Sequence, residues 1–293
     1  MNTRDRSSYK TKNEVIRDIP KTSKKASVRS ASFFRRLDLR FPWLKLVVVI
    51  IFGIAAILDL CDLTISKISD SYGRIMVAPM SKHVRATTRI LDGKKLVVLT
   101  FDDGPSSDTT PKLLDVLYEK DVPATFFVLG NMARNNPEIV KRAAREGHEV
   151  ASHTMYHQNL IRLSAPAVKS DIDEARSTLQ GILGSVPSFT RPPYGNINDN
   201  VRQYVGTPMI LWSVDTLDWK DKNPDSIVNI AMSQVHDGAI ILMHDIYPTT
   251  VEAVPTLIDT LRSAGYEFAT IPELTKIRGI ELSPGVAYYN FRP

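Results

Sequence analysis

Hydrophobic positions follow two regimes along this chain. From Trp43 to Leu60 they form one block in which only Lys45 and Asp59 are charged. Beyond residue 93 they come instead as short runs rich in β-branched residues, at 96–100, 124–128, 149–152, 188–190, 209–214, 239–243 and 267–270. Each run has the length of a strand rather than of a helix. Amphipathic stretches separate them. The second of these is the best marked: Asn136 stands as N-cap, Pro137 at the first helical position, Glu138 in the first turn and Gly147 after the last apolar residue. Strands that alternate with helices predict a parallel sheet, because parallel neighbours need a crossover between them. About seven strands are expected, closed as a barrel or open and doubly wound.

The block at 43–60 predicts a membrane span. As a helix it would be roughly 27 Å long at ~1.5 Å per residue, close to the ~30 Å of a hydrocarbon core, with Lys45 snorkelling at one end. No small-x-small cleavage site follows it, since Asp59-Leu60-Cys61-Asp62 intervenes, so an uncleaved signal anchor is expected. Charge orients it. Residues 1–45 carry 13 Lys/Arg against 4 Asp/Glu, whereas residues 94–293 carry 19 against 24. The basic flank places the N-terminus in the cytoplasm and the rest of the chain outside, at the cell membrane in a single pass. Four segments follow: a disordered basic tail at 1–42, the anchor at 43–60, an extracytoplasmic stem at 61–93, and a domain at 94–293 large enough for one sizeable core. The tail lacks interleaved aromatic residues, so its charge is read as topology and contact with anionic lipid, and no nucleic acid is expected. Cys61 is the single cysteine, which leaves no intrachain disulfide.

Polar residues recur at one place in the strand-helix units. Asp102 and Asp103 follow the first strand, His153 the third, Arg191 the fourth, Asp215 the fifth and His244 the sixth. Carboxyl ends of parallel strands converge on one face, where barrel enzymes build active sites. Two adjacent carboxylates closing a buried strand call for a cation, because a bare buried charge is costly. His153 and His157, four apart, would lie on one face of a helical turn and with one carboxylate give three ligands and an open position. The second carboxylate is then available as a base, and Arg191 beside it would lower its pKa. An aspartate next to His244 would raise the imidazole and make it a proton donor.

In order and spacing, Thr100-Phe101-Asp102-Asp103-Gly104-Pro105, Ser152-His153-Thr154-x-x-His157, Arg191-Pro192-Pro193-Tyr194-Gly195, Asp215-x-x-Asp218-Trp219 and Leu242-x-His244 resemble the five motifs of the NodB-homology polysaccharide deacetylases, carbohydrate esterase family 4. The resemblance covers about residues 94–275. It implies a distorted (β/α) barrel with Zn²⁺, or another divalent cation such as Co²⁺, Mn²⁺ or Ni²⁺, held by Asp103, His153 and His157. It further implies Asp102 as general base oriented by Arg191, and the Tyr194 amide as oxyanion donor. His244 would be the acid, tuned by Asp215, and Trp219 and Leu242 would wall the acetyl pocket. The activity implied is hydrolysis of the acetamide of N-acetylglucosamine in a cell-envelope polysaccharide, with peptidoglycan first because a tethered enzyme sits next to it. Chitin oligomers, poly-N-acetylglucosamine and acetylated xylan are the alternatives. A glycan-binding module without catalysis is disfavoured, since binding alone needs neither base nor acid.

Overall fold

The computed structural model describes Leu91 and residues 93–293. The expected tail, membrane span and most of the stem lie outside the described residues, and among the described residues no helix is long and apolar enough to cross a membrane.

The described chain alternates strand and helix as its hydrophobic pattern requires. In order come β1 (Lys95–Asp102), α1 (Thr110–Lys120), β2 (Thr125–Val128), α2 (Gly130–Asn135), α3 (Pro137–Arg145), β3 (Glu149–Ser152) and α4 (Ala165–Leu183). Then follow α5 (Asp199–Val205), β4 (Met209–Ile210), β5 (Val214–Asp215), α6 (Asp218–Asp221), α7 (Pro224–Gln234), β6 (Ala239–His244), α8 (Pro248–Ser263), β7 (Tyr266–Phe268), α9 (Ile271–Arg278) and β8 (Ala287–Tyr288). The strands pair in parallel in the order β3-β2-β1-β6-β5, with β7 against the first residues of β1.

Side chains alternate across β1 with period two. Val97, Leu99 and Phe101 join Leu113, Leu117, Leu257 and Leu261 in the cluster between sheet and helices. Leu96 and Val98 join Phe127, Ala151, Ile210 and Ile240 on the other face. Thr100 and Asp102 continue that second face, so a strand buried on both sides delivers a hydroxyl and a carboxylate to the interior at its carboxyl end.

Several expected elements differ in detail. The run at 209–214 is two short strands with different neighbours, not one: Met209 bridges to Thr190 and β4 pairs with β8, whereas β5 pairs with β6. Ser152 in turn bridges to Thr190, so the parallel pairings run from β6 through β1, β2, β3 and Thr190 to β4, whose own chain continues into β5. This parallel α/β sheet is consistent with the expected distorted barrel. The run at 188–190 contributes only the Thr190 bridge. The run at 267–270 ends two residues early, because the Thr270 side chain accepts from the Glu273 amide, and Glu273 reaches back to Thr270, starting α9 with a capping box. Helix α3 has the expected start, yet the Asn136 side chain does not cap it. Its Nδ2 donates instead to the carbonyls of Met132 and Pro105 at 3.2 and 3.4 Å.

Candidate active site

At the carboxyl end of β1 the interior is filled by a charge. Arg191 is fully buried. Its Nη1 donates to Asp102 Oδ1 at 2.7 Å and to Thr100 Oγ1 at 2.9 Å, its Nε to the Ile210 carbonyl and its Nη2 to the Leu211 carbonyl, both at 2.9 Å. The guanidinium lies over the Phe127 ring, 3.9 Å from the centroid. Four hydrogen bonds, a counterion and an aromatic face are what a buried cation needs. The two carbonyls are offered at the break between β4 and β5, so the irregularity there serves the arginine. The expectation that Arg191 lowers the pKa of Asp102 is corrected in its net sign. Burial raises the Asp102 carboxyl above its ordinary range, and the arginine's charge and hydrogen bond only pull it part of the way back. A base gains proton affinity from that balance while Arg191 sets its direction.

Asp103, His153 and His157 converge beside Asp102. Their ligating atoms all lie within 4.8 Å of one another. His157 Nε2 is 3.3 Å and His153 Nε2 3.5 Å from Asp103 Oδ1. His153 Nδ1 stands 2.7 Å from the Arg191 carbonyl. A carbonyl can only accept, so Nδ1 carries the proton and Nε2 is left bare toward Asp103. Burial pushes the His153 imidazole down to about 3, which keeps it neutral. Asp103 Oδ1 is buried without a hydrogen-bond partner. An orphaned carboxylate oxygen facing two imidazoles is the donor set of a divalent cation, so the residues present fit one. The histidines do not share a helical turn as expected. They lie on an irregular loop after β3, bent by left-handed backbone at Thr154 (φ 74°) and His157 (φ 55°).

On the strand beside Asp102, His244, the last residue of β6, is held by Asp218 and not by Asp215. Asp218 Oδ1 is 2.8 Å from His244 Nδ1, and its Oδ2 accepts from the His244 amide and from Thr250 Oγ1, each at 2.7 Å. Desolvation alone would lower the imidazole. The hydrogen bond and charge of fully buried Asp218, with Asp102 and Asp103 beyond, outweigh it and raise the pKa to about 9. Asp215 acts one step back: its Oδ1 accepts from the Leu217 amide at 2.9 Å, shaping the left-handed turn (φ 55°) that starts α6 and presents Asp218. Sequence reasoning missed Asp218 although it stands in the same motif, because nothing in the spacing says which carboxylate the turn brings to the histidine. Asp245, the neighbouring aspartate expected to raise His244, does not hold it. That carboxyl leaves His244 for Thr110 Oγ1 at 2.5 Å and packs against Gly104, where a Cβ would fall 2.0 Å from its Oδ2. Gly104 is therefore obligatory in the turn that carries Asp103.

The rim is aromatic. Tyr194 is 60% exposed, adopts φ 62°, and sets its ring edge-on to His157 at 4.8 Å. Trp219 is 47% exposed, which excludes a core role for its indole. The Tyr247 ring, not anticipated from the sequence, lies 5.7 Å from that of His244. Leu242 is buried and shares the inner face of β6 with Ile240.

The sequence model described as polysaccharide deacetylase matches residues 90–207. A peptidoglycan-N-acetylglucosamine deacetylase of Listeria monocytogenes serotype 1/2a (strain 10403S) is 44% identical over 196 residues, which are 67% of this chain and 41% of that protein. The present chain thus spans about two fifths of that relative's length. A chitooligosaccharide deacetylase of Bradyrhizobium sp. (strain ANU 289) is 37% identical over 209 residues, 65% of this chain and 95% of its own. Among solved structures, a family 4 acetyl xylan esterase from Clostridium thermocellum, in complex with a cobalt ion, superposes with a TM-score of 0.64 at 32% identity, covering 67% of this chain and 98% of that one. Such identity, sustained over nearly the full length of known members, means that the chain belongs to the polysaccharide deacetylase family.

Proposed function

We propose that the protein is a metal-dependent N-deacetylase that removes acetyl groups from N-acetylglucosamine units of peptidoglycan. The observation that carries this reading is a buried, arginine-oriented carboxylate and an imidazole raised to about 9, on the paired residues Asp102 and His244 of adjacent strands, beside a three-ligand cluster. An acetamide has a weak electrophile and a poor leaving group, so its hydrolysis needs a polarising cation, a base for water and an acid for nitrogen.

Asp103, His153 and His157 would hold the cation, zinc or another divalent ion such as cobalt. When bound it would act as a Lewis acid, polarising the acetyl carbonyl and lowering the pKa of water. Asp102 accepts the proton of the attacking water through its Oδ2, since its Oδ1 is taken by Arg191. The Tyr194 amide, set by the turn after Pro192 and Pro193, donates to the developing oxyanion. His244 then gives its proton to the leaving amine, with Asp218 holding Nδ1 so that Nε2 faces the substrate. Leu242 lines the acetyl methyl, and Trp219 lies along the sugar. Peptidoglycan is preferred because the relative named as a peptidoglycan deacetylase has the higher identity, 44% against 37% for the chitooligosaccharide deacetylase. Incubating the metal-loaded full chain with peptidoglycan, chitin oligomers and acetyl-xylan should release acetate fastest from peptidoglycan. Faster release from either of the others would move the assignment to that glycan.

The apolar block at 43–60 and its basic flank support an anchor that leaves the catalytic domain outside the cell. A phosphatase reporter fused after Pro293 should be active extracellularly, with the full-length protein in the membrane fraction. A soluble product beginning near residue 60 would replace the anchor by a cleaved signal peptide.

A further inference from the structure

The loop that carries both histidines is held by a residue with no place in the chemistry above. Helix α4 buries a stripe at Val168, Asp171, Ile172, Ala175 and Leu179. Four of these are apolar, as a core-facing helix demands. The fifth is an aspartate, buried to 5% exposure, with no cation among its hydrogen-bond partners. Its Oδ1 accepts from the Met155 amide at 2.7 Å, and the Tyr156 amide also points to its carboxylate. Met155 and Tyr156 lie between His153 and His157. Two further contacts pin the same segment: the Gly130 and Asn131 amides donate to the carbonyls of Thr154 and Met155 at 2.9 and 3.2 Å. The Met155 side chain is fully buried and packs where a Cβ on Gly130 would fall 2.4 Å from its sulfur.

We infer that Asp171 is a positioning residue for the metal cluster, fixing through the Met155 and Tyr156 amides the loop conformation in which His153 and His157 present Nε2 to Asp103. The inference rests on the metal reading proposed above. Its physical basis is that Thr154 and His157 sit in left-handed backbone, a costly conformation for a non-glycine residue that persists only where surrounding contacts over-determine it. A charged acceptor is stronger than a neutral one, and a buried carboxylate that accepts from the Met155 amide and faces the Tyr156 amide supplies that over-determination. His153 has a second hold through the Arg191 carbonyl, whereas His157 is more exposed and depends on the loop.

The test measures the zinc dissociation constant of the purified full chain by competition with a chelator, beside its melting temperature. Asp171→Ala should weaken zinc binding by about 10- to 100-fold, the usual effect of losing a residue that orients metal ligands. Asp171→Asn keeps one acceptor oxygen without the charge and should fall between Asp171→Ala and the parent. Ile172→Ala, the neighbouring buried position, should lower the melting temperature yet leave zinc affinity unchanged. Parent-like affinity in Asp171→Ala, or in Asp171→Asn if the alanine variant does not fold, would overturn the inference. So would an equal loss of zinc in Ile172→Ala at the same melting temperature. A parent chain that binds no zinc would overturn the metal reading itself, an outcome distinct from these.

Discussion

Asp102→Asn is expected to retain bound zinc and to lose about 10²- to 10⁴-fold in kcat/KM on an N-acetylated glycan, the ordinary contribution of a general base. The amide is nearly isosteric and can still face Arg191 through its oxygen, which keeps the 2.7 Å contact that orients the group. It has no proton affinity to offer water. Asp103→Asn should behave differently. Its Oδ1 is the oxygen shared by the two imidazoles, so the variant should lose metal first and activity as a consequence, as should His153→Ala and His157→Ala. All four should fold, since a catalytic site is not the main source of this domain's stability. Zinc content and acetate release in the four variants check the division. Metal loss in Asp102→Asn together with retention in Asp103→Asn would exchange their roles.

His244→Ala should also keep its metal and lose about 10²- to 10⁴-fold on the amide, but should suffer much less on an activated acetyl ester, whose leaving group departs without a proton. Asp218→Asn should reproduce part of this loss and shift the alkaline limb of the pH–rate profile to lower pH. The sign follows from the raised imidazole: His244 is protonated up to about 9, and activity needing its proton falls as pH rises through that value. Part of the elevation comes from Asp102 and Asp103, and a cation held by Asp103 would offset that part, so the Asp218 contribution is the one that persists in the loaded enzyme. The same raised pKa contributes stability that is complete below the free-histidine value of 6.5 and is lost as pH rises through about 9. Asp215→Asn, which keeps an acceptor for the Leu217 amide, should leave the limb in place. Equal damage by His244→Ala on amide and ester would remove its role as acid, and an unshifted limb in Asp218→Asn would remove the tuning.

What the sequence determined by itself was the alternation of strand and helix, the bounds of a helix such as α3, and the convergence of polar residues at strand ends. These are local or nearly local consequences of periodicity and of the helical crossover that parallel neighbours need. Motif spacing likewise singled out Asp102, Asp103, His153, His157, Arg191 and His244, all of which the fold gathers at one end of the sheet. Tertiary structure decided the rest, and in each case through a contact distant in sequence. Whether 209–214 is one strand or two depends on Thr190 and Tyr288 on one side and β6 on the other, because an apolar run reads the same whether it is continuous or broken. Which way Asp102 titrates depends on how completely the interior excludes water, since desolvation there outweighs the arginine. Whether Asp215 or Asp218 reaches His244 depends on a left-handed turn at Leu217, and whether two histidines lie on a helix or a loop depends on Asp171 and on the Gly130 and Asn131 amides. Hydrophobic period is written in neighbouring residues, but a charge takes its partner and its proton affinity from whatever the packed chain brings against it.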